Sequence, residues 1–107
     1  MRFPLIVLSR LPVSAMALYP FILLDRPERR SDIGLLRHER IHLRQQAELL
    51  VLPFYLLYGY YYLQGLLRGR SSREAYREIP FEREAYAQEH EPLYLERRMR
   101  FAWRGYR

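Results

Sequence analysis

The apolar positions change period several times along the chain. Residues 3–8, FPLIVL, and 13–24, VSAMALYPFILL, are short apolar runs bordered or broken by Pro4, Pro12 and Pro20. Runs of this length, punctuated in this way, predict extended segments that pair as a small antiparallel sheet or ribbon. DRPERRSD then reads as a polar connection ending in Ser31 and Asp32, both suited to capping a helix N-terminus. From Ile33 to about Leu50 the period becomes helical, with Leu36, Leu43, Ala47 and Leu50 forming one stripe.

The run LLVLPFYLLYGYYYL, residues 49–63, is the most apolar part of the chain. It falls short of the roughly 18–20 residues that a spanning helix needs, and Pro53 and Gly59 interrupt it. It predicts a helix buried in the core, with interfacial membrane contact as the minority reading. Gly65 and Gly69, with RGRSS, close that element. SREAYRE predicts a short helix and Ile79–Pro80 a break. A second helix follows with Pro80 in its first turn, where a missing N–H costs nothing. Pro92 ends or kinks that helix, and LYLERRMRFAW predicts a last one. The fold class expected is α+β and predominantly helical. A small N-terminal antiparallel sheet would pack on the helix at 33–50 and on the helices after it, in a single domain of residues 1–107.

Charge adds a constraint on partners. The net charge is +6, and every basic residue apart from histidine is Arg, with no Lys. Such a balance attracts acidic partners. Most of the arginines alternate with Glu, as in FEREAYAQE, which describes solvated helix faces more than a binding stripe, so nucleic acid is not the expected partner. The C-terminal RMRFAWRGYR is the exception, because basic and aromatic residues interleave there without acid. Cysteine is absent, which excludes disulfides, thiolate metal sites and cysteine nucleophiles. Any metal must then be held by His, Asp or Glu. Residues 1–17 carry an early Arg, an apolar run and small residues at Ala15 and Ala17, as signal peptides do. Arg10 and two prolines interrupt the run, so the segment is expected to be retained and the protein to be cytoplasmic.

Two of the three histidines fall in His38-Glu39-x-x-His42, inside the best-patterned helix. Imidazoles one helical turn apart face the same way, and both can reach one ion at about 2.0–2.1 Å. Glu39 is turned by roughly 100° from His38. It therefore does not ligate but faces water held on the metal, where it can act as general base. The bland alternative is a polar helix face whose histidines pair with nearby acids.

A catalytic zinc takes three protein ligands and keeps one position open. Glu48, six residues beyond His42, is rotated by about 240° on a continuous helix and points away. The better donor is Glu82, which opens the later helix and shares a face with Ala85 and Tyr86. The small Ala85 would let that helix come close to the one bearing the histidines. Glu84 points to the other side. The plainer reading of Glu82 is a first-turn acid that stabilises a helix N-terminus.

His38-Glu39-x-x-His42 followed by Glu82-x-x-Ala85 resembles the gluzincin group of zinc metallopeptidases, and the size and element order look most like the single-domain minigluzincins. The resemblance implies a zincin-like fold with Zn2+ held by His38, His42 and Glu82, and with Glu39 as catalytic base. It also implies that residues 13–24 supply an edge strand that binds an extended peptide or protein substrate. Many gluzincins carry Asp or Asn after the Ala of the second motif, where this chain has Tyr86. An oxyanion donor is needed as well, and Tyr76, Tyr86 and Tyr94 all remain open.

The expected function is therefore a zinc-dependent metallopeptidase. Two alternatives compete with it. One is a latent zincin scaffold with an interaction or regulatory role, its groove plugged by Phe101 and Trp103 of the tail. The other is a metal-free basic helical module that binds an anionic membrane surface or nucleic acid through its arginines.

Overall fold

The computed structural model describes residues 4–107. Phe3, at the start of the first extended segment, and Arg2, the early charge of the leader-like pattern, lie outside the described residues.

Three short strands form one sheet: β1 (Leu5–Val7), β2 (Ala15–Leu18) and β3 (Phe21–Leu24), in the order β1-β3-β2. The single extended segment expected over 13–24 is instead a hairpin: β2 and β3 pair antiparallel, with Ala17 opposite Ile22, and of the two only β2 lies at an edge. β1, however, runs parallel to β3, with Ile6 opposite Leu23, so the sheet is mixed and not purely antiparallel. The cause is topological. The connection after β1 places β2 on the far edge, and the hairpin then returns β3 through the middle in the direction of β1. Ile22 and Leu24 of this central strand are buried, and with Ala17 they pack against Leu36 and Leu43.

Those two leucines belong to α1 (Ile33–Leu49), whose N-terminus is capped by the Asp32 carboxylate accepting the Leu35 N–H at 3.1 Å. The expected stripe is only half correct. Leu36 and Leu43 face the sheet, whereas Ala47 and Leu50 are exposed. The stripe fails because the helix ends at Leu49. Leu50 adopts φ 67, and α2 (Val51–Leu67) leaves in a new direction. Pro53 explains the break, since it cannot donate to the Leu49 carbonyl and its ring would collide with it.

α2 is not the buried core helix that its composition suggested. Only Phe54 is fully buried, and the outer face is a run of exposed leucines. No helix among the described residues is long and apolar enough to cross a membrane.

α3 (Ser72–Glu78) starts with a reciprocal cap between Ser71 and Glu74. α4 (Pro80–Gln88) follows at once, with Pro80 in its first turn as expected. The single last helix that was expected is instead α5 (Tyr94–Arg97) and a separate 3-10 turn at Ala102–Tyr106. Trp103 of that turn joins Phe54, Ile79 and Phe81 in a second apolar cluster. The first cluster fixes α1 on the sheet and the second gathers α2, α4 and the tail; α1 and α4 also lie against each other, which places the residues below.

Candidate metal centre

The two histidines come from one turn of α1 and meet the first turn of α4. His38 Nε2 lies 2.9 Å and His42 Nε2 3.1 Å from the same oxygen, Glu82 Oε1. All three residues are buried, and one ligating atom from each can be chosen so that all lie within 4.8 Å of one another. Two ligands at about 2.0–2.1 Å from a tetrahedral zinc are separated by about 3.3 Å, close to the observed nitrogen–oxygen separations. Ala85, one turn beyond Glu82, is fully buried.

The outer ring nitrogens are fixed as well. His38 Nδ1 lies 2.8 Å from Glu89 Oε1, and His42 Nδ1 lies 2.8 Å from Gln45 Oε1. The Gln45 amide nitrogen donates to the Phe81 carbonyl and to Glu84, so its oxygen must be the atom that faces His42. His42 Nδ1 therefore carries a proton, and its Nε2 is the free lone pair of the neutral ring. All four ring nitrogens meet an acceptor. Satisfying them with protons alone requires two imidazolium rings with centroids 4.8 Å apart. One divalent cation at the convergence point satisfies both Nε2 atoms and Glu82 together, and it needs only the two Nδ1 protons. The donor set fits a metal.

Electrostatics agree with that count. Burial opposes a charge on His42, but the Glu82 carboxylate overcomes it and lifts the pKa to about 9. Burial likewise opposes charge on Glu82, while His42 and the imidazole hydrogen bonds hold its pKa far below the ordinary carboxylate value. The site thus favours a positive charge beside a carboxylate.

Glu39 is buried next to this group and accepts no hydrogen bond from the described residues. Burial pushes its pKa up, against the pull of both imidazoles. It lies on the wall of a cavity of about 650 Å³, together with His38, His42 and Glu82. One side of that cavity is β2, an edge strand.

The outer edge of β2 is closed at one end. The Gln46 side chain accepts the Tyr19 N–H at 2.7 Å and donates to the Ala17 carbonyl at 2.9 Å, imitating a neighbouring strand. Tyr55 of α2 adds a second donor to that carbonyl at 2.6 Å. Ser14 accepts from Asp25 on the inner side, so by alternation Ala15 turns its backbone groups outward.

Comparisons with family models, curated proteins and solved structures gave no match. The site is accordingly judged by its own geometry.

Glu48 does not approach the histidines but binds Arg98 at 2.9 and 3.1 Å and accepts the Phe101 N–H. Glu84 is fully buried on the other side of α4, where Gln45, Tyr94 and Arg98 donate to it. Of the tyrosines expected near the cavity, Tyr76 and Tyr86 line it with their hydroxyls 3.0 Å apart, whereas Tyr94 is committed to Glu84. Neither Phe101 nor Trp103 lines the cavity. The tail braces the back of α4 and leaves the groove open.

Four participants were not foreseen from sequence. Gln45 is three residues from His42, and Glu89 is seven from Glu82, so helical spacing alone puts each on the right face. Gln46, four residues from His42, has that spacing too, whereas Tyr58 gave no such signal. The Tyr58 hydroxyl donates to Glu82 Oε2 at 2.6 Å, and burial, reinforced by the carboxylate, keeps it firmly protonated.

Proposed function

We propose that the protein is a zinc-dependent peptidase of gluzincin type, with His38, His42 and Glu82 holding Zn2+ and Glu39 acting as general base. One observation carries this reading. Two imidazole Nε2 atoms each lie within 3.1 Å of one carboxylate oxygen, while both of these rings are held from outside at Nδ1 and Glu39, which accepts no hydrogen bond from the described residues, stands beside them. Zn2+, when bound, supplies a Lewis acid that lowers the pKa of water and polarises a carbonyl.

The chain's own residues supply the rest. Glu39 takes a proton from the attacking water, and its burial-raised pKa suits it to pass that proton on to the departing amine. Tyr58 occupies Glu82 Oε2 and leaves Oε1 for the ion. Tyr76 and Tyr86 present hydroxyls on the cavity wall, where one can donate to the developing oxyanion. The exposed backbone of Ala15 offers an extended peptide a strand to pair with, which favours unfolded or flexible substrates.

Metal analysis and hydrolysis of a peptide library test the reading together. Wild type should bind one zinc and cleave. Glu39→Gln should keep the zinc and lose roughly 10²–10⁴-fold in rate. His38→Ala and Glu82→Ala should lose the zinc. Undiminished cleavage by Glu39→Gln, or full zinc content in Glu82→Ala, would refute it.

A further inference from the structure

The polarity of α2 is reversed relative to an ordinary surface helix. Its inward side carries the tyrosine hydroxyls that bind Ala17 and Glu82. Its outward side presents Leu52, Leu56, Tyr60, Leu63 and Leu67, each between 54% and 80% exposed. At 100° per residue these five fall within an arc of about 80°. The helix has no charged residue over its 17 positions, and Leu66 extends the same face. A patch of this kind on a protein of this size marks a surface that something covers.

Charge beside the stripe indicates what covers it. A cleft of about 540 Å³ has one wall formed by Tyr61, Gln64 and Gly65 of α2, and it gathers Arg68, Arg70, Arg83 and Arg107. Of the α2 residues on its wall, Gln64 lies about 80° round the helix from the centre of the stripe and Tyr61 and Gly65 about 140° and 180°, so the cleft borders the leucine face along its Gln64 edge. The one acid in the cleft, Glu78, pairs with Arg70 at 3.4 Å. The other three arginines have no ion-pair partner among the described residues.

A leucine face with a cleft of unpaired arginines along one edge matches the interfacial zone of a bilayer, where acyl chains meet anionic phosphates. A second copy of the chain fits poorly. A two-fold contact through α2 would bring together two chains of charge +6 with their arginine clefts at the rim. The length of α2, about 25 Å, is too short to span and suits a helix lying in the membrane plane.

We propose that the outer face of α2 seats the protein on an anionic membrane surface, with lipid phosphates received by Arg68, Arg83 and Arg107. This is independent of the peptidase reading, because no residue of the metal centre takes part. The anchor is peripheral. It would place the cavity beside substrates held at a membrane.

Flotation of the full chain with vesicles tests it, comparing phosphatidylcholine alone with phosphatidylcholine containing phosphatidylglycerol. Wild type should float with the anionic vesicles and be released progressively by salt. Leu56→Glu/Leu63→Glu should lose at least tenfold in vesicle affinity, with an unchanged far-ultraviolet circular dichroism spectrum. Arg68→Ala/Arg107→Ala, which keeps the leucines, should lose roughly fivefold per arginine on anionic vesicles only. Absence of flotation, or equal flotation of both double variants and wild type, overturns the proposal. So does a wild-type dimer that Leu56→Glu/Leu63→Glu converts to monomer, which would assign the stripe to a second copy. Binding of inorganic phosphate without any vesicle association would assign the cleft to a soluble anion and equally overturn it.

Discussion

Arg98 is the most informative single residue to remove. Its side chain is 2% exposed and spans two carboxylates, Glu48 at 2.9 and 3.1 Å and Glu84, whose side chain is wholly buried. In Arg98→Ala, Glu48 keeps some contact with water, but Glu84 cannot. It retains the Tyr94 hydroxyl at 2.6 Å and the Gln45 amide at 2.9 Å, and no cation. Leaving one partner of a buried pair uncompensated costs about 3–5 kcal/mol, a large part of the roughly 5–15 kcal/mol that holds a domain of this size. At about 4 °C per kcal/mol, the thermal midpoint should fall by about 12–20 °C. The surface pair Arg70–Glu78, with both side chains half exposed, provides the contrast. Arg70→Ala should shift the midpoint by no more than about 4 °C. Differential scanning calorimetry of the metal-free protein reads both. Arg98→Lys should recover less than half of the loss, because an ammonium cannot fork to two carboxylates. Arg98→Met/Glu84→Gln should recover more than Arg98→Lys, because no charge is left buried. An Arg98→Ala midpoint within about 3 °C of wild type would refute the assignment of this pair as a buried brace.

Gln45→Ala and Glu89→Gln each remove the acceptor that orients a histidine, so zinc affinity measured by chelator competition should fall about 10–100-fold while the fold persists. Loss of folding cooperativity with unchanged zinc affinity would contradict this. Gly59 and Gly65 should respond to alanine in opposite directions. A Cβ at Gly59 meets nothing, so Gly59→Ala should gain up to about 1 kcal/mol from helix propensity. A Cβ at Gly65 would stand 2.9 Å from the Ala75 Cβ, and chemical denaturation should show Gly65→Ala to be net destabilising. Metal-free protein should lose stability as pH rises from about 6.5 through about 9. A His42 pKa raised in the folded state contributes fully below its unfolded value and is lost above its folded one. Zinc affinity should rise over the same interval, since binding displaces that proton. A metal-free melting temperature that stays flat across this range would count against the Glu82–His42 coupling.

The legible parts of the chain were those where local chemistry and tertiary structure agree. The Asp32 cap, the proline start of α4 and the His38–His42 spacing all depend on neighbours within a turn, and a sequence displays those directly. Glu82 was legible for a similar reason, since its helix start fixes the face that it shares with Ala85. Composition misled for α2. Its leucines and tyrosines suggested burial, but the cavity claimed Tyr55 and Tyr58 for hydrogen bonds and most of the leucines face outward. The direction of β1 depends on which edge of the hairpin it joins, and a three-residue strand encodes no preference. The role of Arg98 was hidden in the same way. Its partners stand fourteen and fifty residues away, and no periodicity links them.

The clamp at the end of β2 has one more implication. Gln46 and Tyr55 occupy the Ala17 carbonyl and Gln46 the Tyr19 N–H, so a chain laid along this strand loses those two partners there. A sliding guest would lose a bond for each residue by which it overran that point, and a shift of a single residue would also turn all its side chains over. On the peptidase reading proposed above, the strand would act as a ruler with a fixed zero. The position of the cut would be counted from a glutamine on the neighbouring helix, before any side-chain pocket has its say.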